Sequence, residues 1–123
     1  MAARKITLHC DVAVSDIVCS AIREYAHAAY PEGGSECAQV ARYTLLELAA
    51  NIDAGISEHS QSVEVSKRPR SMVKAAFEYY FNRLDEVQDV TSIHQRQLFA
   101  GLLEEKPVTA SELQAAVERD NGG

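Results

Sequence analysis

The chain has 123 residues, is 46% hydrophobic and carries a formal net charge of −6, which is typical of one folded domain with its own core. No apolar run approaches the roughly 18 residues of a membrane span, and residues 1–10 lack the apolar stretch and cleavage site of a signal peptide. Three cysteines, an odd number, fit reduced thiols. We therefore expect one helical domain over residues 1–123, in the cytoplasm and without a membrane.

The first predicted element is a short strand, because residues 4–12 alternate between apolar and polar side chains. Ile6, Leu8 and Cys10 fall on one side of it. A strand needs a partner for its backbone groups, and the simplest source is the same strand of a second copy. The sequence predicts either a dimer strand built on these three residues or an extended arm packed on helices.

Two helices joined by a glycine turn follow the strand. Residues 15–29 carry apolar side chains at helical spacing, and Pro31 and Gly33 end that helix. Ser35 is a favourable N-cap for the second helix, and Gly55 closes it. Because the turn is so short, we expect the two helices to form an antiparallel pair.

Residues 57–70 are polar and rich in serine, which predicts a loop before the third helix. The end of this segment and the start of the helix hold the basic cluster, defined as Lys67, Arg68, Arg70 and Lys74. The cluster is either a solvated loop or a site that binds phosphate or an acidic protein surface. Positive charge is mildly unfavourable at a helix N-terminus, which gives the binding interpretation some weight.

The third helix, with Ser71 as its expected N-cap, carries a strong apolar stripe. The stripe consists of Val73, Phe77, Tyr80, Phe81, Leu84 and Val87. Several apolar or aromatic side chains lie off the core stripes of the second and third helices, and such residue types are enriched at interface cores. We therefore predict a partner or dimer interface formed by Met72, Tyr79, Arg83, Tyr43 and Leu46.

Two shorter helices complete the chain. Ser92 opens the fourth helix, with Gln95 at capping-box spacing, and the fifth covers residues 110–119. Thr109 and Glu112 have the same capping-box spacing before the fifth helix, and residues 120–123 are expected to fray. The sequence as a whole predicts a mainly α fold: a compact bundle of about five helices with one short N-terminal strand or extended arm.

The sequence contains no recognisable catalytic or ligand-binding motif. Its four histidines and three cysteines show neither paired metal-ligand spacing nor a nucleophile motif. We therefore expect no enzyme, no catalytic residue, no metal and no cofactor, and we expect the thiols to be buried or half-buried. No third of the chain is net basic, so nucleic acid is not expected to be the main partner.

Residues 4–55 resemble the ribbon-helix-helix repressors in the order strand, helix, Gly-Gly-Ser turn and helix. This resemblance implies two strands paired across a dimer, with outward residues in the major groove of DNA. Lys5, Thr7 and His9 would be those residues here. A DNA-binding repressor of this type is the alternative function.

The whole chain resembles the small quorum-sensing anti-activators of pseudomonads. This likeness depends on the length, the acidic balance and the helical, cysteine-containing make-up of the chain. It depends also on the alanine-rich helices and the Gly-Gly turn of residues 16–54. It implies a non-enzymatic protein that covers the dimerisation surface of a LuxR-type transcription factor. Our main expectation is therefore a homodimeric anti-activator that works by protein–protein contact. Which helix face meets the second copy and which meets the partner stays open.

Overall fold

The computed structural model describes residues 4–122 and contains five helices and two strands in that range. The mainly helical architecture that the apolar periodicity predicted is confirmed. In chain order the elements are β1 (Lys5–His9), α1 (Val12–Ala29), α2 (Glu36–Gly55), β2 (Ser62–Ser66), α3 (Arg70–Gln88), α4 (Ile93–Leu102) and α5 (Ala110–Gly122).

Helix α1 lies at the centre of the bundle and packs against α2, α3 and α5. Val14, Val18 and Ile22 follow one another at a spacing of four residues, and all three are fully buried. Helix α4 packs between α3 and α5. Within residues 4–122, no helix combines the length and the apolar character that crossing a membrane requires.

Strand β1 pairs antiparallel with β2, which lies inside the segment 57–70 that was expected to be a loop. The register places Ile6 opposite Val65 and Leu8 opposite Val63, and these side chains face the helices. The loop prediction is wrong at β2. Two valines between polar neighbours are enough to complete the buried face of a two-stranded sheet, although they give a weak signal in the sequence.

The other edge of β1 is held by the segment that precedes α5. The Thr7 N–H donates to Glu105 Oε2 at 2.9 Å, and the Val108 N–H donates to the His9 carbonyl at 2.9 Å. Both edges of β1 are therefore occupied within one chain. The expected pairing with a second copy through a dimer strand is wrong, because the strand is buried in its own domain at Ile6, Leu8 and Cys10.

One carboxylate caps two helices. Asp11 is the N-cap of α1, where its Oδ1 accepts from the Val14 N–H at 3.1 Å. Its Oδ2 accepts from the Ala110 N–H at 2.6 Å, at the start of α5. Asp11 thus satisfies free amides at two helix N-termini and links the start of α1 to the start of α5.

Helix α4 is capped from α5 rather than by its own N-cap residue. Ser92 makes no side-chain cap bond, because its Oγ accepts from Arg96 instead. The His94 and Gln95 amides donate to the two oxygens of Asp120, at 3.1 and 3.2 Å. The capping box expected between Ser92 and Gln95 is wrong, since a carboxylate from elsewhere in the chain takes its place.

The C-terminal tail is more ordered than its glycines suggested. Helix α5 continues to Gly122, and the Asp120 side chain is only 2% exposed. The expectation of a frayed tail is therefore wrong for residues 120–122, because Asp120 is anchored to α4. Gly123 lies outside the described residues.

The capping box of α5 is formed as expected and gives a testable contribution to stability. Thr109 Oγ1 accepts from the Glu112 N–H, and Glu112 Oε1 accepts from the Thr109 N–H, both at 3.2 Å. Thr109→Ala should lower the free energy of unfolding by ~1 kcal/mol in urea melts. Adding Glu112→Ala should cost less than the sum of the single changes, because the two residues form one reciprocal motif. A neutral Thr109→Ala, matching the control Ser111→Ala, would contradict the box.

Candidate functional site

A groove of about 580 Å³ runs between α3 and α4, and the basic cluster lines one end of it. The volume falls within the range of protein ligand sites, roughly 300–1,000 Å³. We call this feature the basic groove. It is lined by Lys67, Arg68, Arg70, Ser71, Lys74, Phe77, Glu78, Phe81, Arg96, Ala100, Leu103 and Glu104.

The two helices that form the groove run in opposite directions. Arg96, near the start of α4, lies over the Phe81 ring at 5.6 Å. Leu103, just after α4, shares a small cavity with Arg70 and Phe77 from the first half of α3. From Arg70 to Phe81 the groove therefore follows one face of α3 for roughly 16 Å, at 1.5 Å per residue.

The base of the groove is aromatic and firmly packed. Phe77 and Phe81 each meet the ring of Phe99 edge-on, with centroids 5.0 Å apart. Edge-to-face contacts of this kind add to the free energy of area burial. The base is therefore a fixed apolar surface, and the apolar stripe expected for the third helix correctly contained Phe77 and Phe81.

The cations of the basic cluster are not ion-paired within the described chain, although Glu78 and Glu104 also line the groove. Within residues 4–122, none of its four side chains forms an ion pair. Arg4 extends the cluster, because its carbonyl accepts from the Lys67 N–H at 3.1 Å and its side chain shares a cavity with Lys67 and Arg68. Sequence reasoning missed Arg4, since only the pairing of β1 with β2 brings it to this place.

The start of α3 adds to the positive field of the basic cluster. The helix begins at Arg70 with Pro69 as its N-cap residue, and no side chain caps it. The expected cap at Ser71 is wrong, since that residue already lies inside the helix. The free amides and the positive end of the helix dipole have the same sign as the cluster.

Among the described residues, the far end of the groove carries no unpaired positive charge. Arg96 Nη1 donates to Glu78 at 3.2 Å, and Nη2 donates to Asn82 and Asp85, each at 2.9 Å. Its charge is therefore offset by two carboxylates, and the guanidinium also holds α4 against α3. The groove as a whole is one-sided, with unpaired positive charge only at the basic cluster.

The five residues predicted as a partner interface do not form one surface. On the second face of α3, the Tyr79 ring lies 5.8 Å from the Tyr25 ring, and Arg83 donates to Glu24 of α1 at 2.8 Å. The structure thus uses much of this face against α1. Met72 and Leu46 are half-buried against the core, whereas Tyr43 is 63% exposed on α2. A partner role for these residues stays a prediction.

A half-buried pair of a histidine and an aspartate occurs at the start of α4. His94 Nδ1 lies 2.9 Å from Asp120 Oδ1, an arrangement that also occurs in catalytic triads. The cavity beside His94 is lined by Gln97, Leu98, Glu112, Ala115, Ala116 and Arg119, so no hydroxyl or thiol lies there to be activated. The pair therefore acts as a cap for α4.

Metal-ligating side chains are scattered in the described part of the chain. Among residues 4–122, no three His, Cys, Asp or Glu side chains come together as a metal site. Cys10 and Cys19 are buried as expected, but the expectation is wrong for Cys37, which is exposed at the start of α2. Burial, with smaller effects of Asp11 and Cys19, raises the pKa of the Cys10 thiol to about 11, which makes it a poor nucleophile.

Comparison of the chain with protein-family models, with curated proteins and with solved structures found no match. The geometry and charge of the basic groove are therefore what a functional proposal has to rest on.

Proposed function

We propose that this chain is a non-enzymatic regulatory protein that binds a transcription factor and blocks its activity. The basic groove is the observation that carries the proposal. Unpaired cations lie at one end of this groove, whose base is apolar, in a protein whose net charge is −6. A segment of a partner that offers both carboxylates and apolar side chains complements both properties.

The proposed partner is a LuxR-type transcription factor in the cytoplasm, as the resemblance to quorum-sensing anti-activators implies. A protein segment suits the groove better than a polyanion does. The acidic remainder of the chain repels a long, uniformly negative molecule, whereas a segment with a few carboxylates meets only the local positive field.

The proposal is tested by capturing the partner with charge-reversed variants. Wild-type protein immobilised on beads should retain a transcription factor from cytosol, and adding the purified protein should release that factor from its DNA in gel shifts. The double variant Lys67→Glu, Lys74→Glu should lose both effects at least 10-fold. Arg119→Glu, a charge reversal outside the groove, is the matched control. Retention of the factor and its release from DNA by the double variant would contradict the basic groove as the binding site, and a wild-type protein that releases no factor from DNA would contradict the function.

We also propose that the chain is a homodimer through α2. Val40 and Tyr43, three residues apart, are 65% and 63% exposed on the outer side of this helix. Tyr43→Glu should convert a dimer into a 13.5 kDa monomer in light scattering at micromolar concentration. Val87→Glu, at a residue 83% exposed on α3, is the control and should leave the dimer intact. A wild-type monomer would remove this proposal.

A DNA-binding repressor is the alternative function. The extension of the basic cluster by Arg4 favours it, because several cations then adjoin one another as in phosphate-binding surfaces. The in-chain pairing of β1 weighs against it, since a ribbon-helix-helix protein needs that strand for its dimer. Nanomolar affinity for duplex DNA that falls steeply with salt and disappears in Lys5→Ala, Thr7→Ala would support the alternative over the main proposal.

A further inference from the structure

We propose that the occupant of the basic groove is an acidic amphipathic helix, with its C-terminal end at the basic cluster. This inference rests on the proposed function, in which the groove receives a segment of a partner protein. It names the conformation, the charge and the direction of that segment.

The walls of the groove favour a helix over an extended peptide. Most of the residues that line the groove belong to α3 or α4, whose backbone groups bond within the helices; the exceptions are Lys67, Arg68, Leu103 and Glu104. An extended peptide would find no strand edge there to satisfy its own amides and carbonyls. A helix satisfies its backbone internally, and roughly 16 Å corresponds to about three turns.

The base of the groove specifies an apolar stripe on the occupant. Phe77 and Leu103 are 5% and 6% exposed, so a ligand reaches them only by inserting side chains between α3 and α4. Ala100 is exposed on the α4 wall, and its small side chain leaves the channel open. Apolar side chains at positions i, i+3 or i+4, and i+7 of a bound helix would line up along this base.

The uneven distribution of charge along the groove sets the direction in which the bound helix runs. The cations of the basic cluster are unpaired, whereas Arg96 at the other end pairs with two carboxylates, Glu78 and Asp85, so that this group of three has a net negative charge. Carboxylates near one end of the occupant should therefore lie at the basic cluster. The negative end of a helix dipole is the C-terminus, so the same field favours that end. The occupant then runs antiparallel to α3.

A display selection with random 14-residue peptides tests this proposal without a known partner. Peptides enriched on the wild-type protein should be net acidic, free of internal proline and apolar at helical spacing. Their affinity should fall at least 10-fold in Lys67→Glu, Lys74→Glu, which reverses charge, and in Ala100→Leu, which fills the channel. Arg119→Glu should bind them as the wild type does, and their affinity should weaken as salt rises.

Fluorescence quenching measures which end of the bound peptide lies at the basic cluster. In a Cys37→Ser background, Ser71→Cys places a single exposed thiol for a quencher at the basic end of the groove. A fluorophore on the C-terminus of an enriched peptide should be quenched more strongly than one on its N-terminus. Stronger quenching at the N-terminus would overturn the direction.

Three results would overturn the proposal. Enriched peptides could be neutral, basic or extended; they could bind both groove variants like the wild type; or a 20-base-pair DNA duplex could compete for the basic cluster with higher affinity. The proposed function fails separately. If acidic helices bind as described but the wild-type protein releases no transcription factor from DNA, only the proposed function falls. If those variants lose the factor and no acidic helix is enriched, only this inference falls.

Discussion

Phe99→Ala should lower the free energy of unfolding by ~4 kcal/mol, within the range for a large aromatic side chain removed from a core. Phe99 is 1% exposed and is the ring that Phe77 and Phe81 both contact edge-on. The substitution leaves a cavity where α3 meets α4, and it removes two aromatic pairs in addition to buried area.

Urea melts followed by circular dichroism measure the Phe99 effect. Val87→Ala is the control on the same pair of helices, because Val87 is 83% exposed and its truncation should change stability by less than ~0.5 kcal/mol. If Phe99→Ala cost less than ~1.5 kcal/mol, the aromatic base of the groove would be looser than the structure describes.

Asp120→Ala should lower the free energy of unfolding by ~3 kcal/mol. The carboxylate accepts four hydrogen bonds from His94 and Gln95, two from backbone amides and two from side chains. Removing it leaves two of the first amides of α4 without their partner in a half-buried place, and losing several hydrogen bonds to one charged group costs more than losing a single ordinary bond.

The pH dependence of stability follows from the same carboxylate. Burial alone would raise the pKa of Asp120, but the hydrogen bonds from His94 and Gln95 outweigh it and hold that pKa below its ordinary value of 3.8. The folded state therefore prefers the charged form. The stabilisation is complete above the unfolded pKa and disappears as the pH falls through the lowered folded value. Asp120→Asn should remove this part of the acid dependence, and an unchanged acid profile would contradict the assignment.

The sequence predicted those features that depend on neighbours along the chain. The capping box of Thr109 and Glu112, the N-cap at Ser35 and the end of α2 at Gly55 all use residues within one helical turn. The basic cluster was visible for the same reason. The stripe of the third helix was also correct at Phe77 and Phe81. It was wrong at Val87, which is 83% exposed near the end of α3.

Features that join distant parts of the chain were not predicted. Strand β2 offers only Val63 and Val65 between polar residues, so its pairing with β1 becomes visible only when both strands are seen together. Asp120 caps a helix that begins well before it in sequence, and no local pattern identifies it. The groove itself needs Ala100 of α4 and Leu103, just after α4, to lie opposite α3, and periodicity does not give the packing partner of a helix.

The position of β1 between β2 and residues 105–108 sets an order on folding during synthesis. On the ribosome, α1 and α2 can pair as soon as both have emerged, because their contacts are close in sequence. β1 emerges first among the described elements, yet the segment that holds its second edge is made only after α4. A nascent chain halted before residue 105 would therefore present an unpaired strand edge, the kind of surface that chaperones bind and that recruits other chains. Contacts between segments so distant in sequence also slow folding. The hydrogen bonds at the second edge of β1 therefore form late, although β1 is made early.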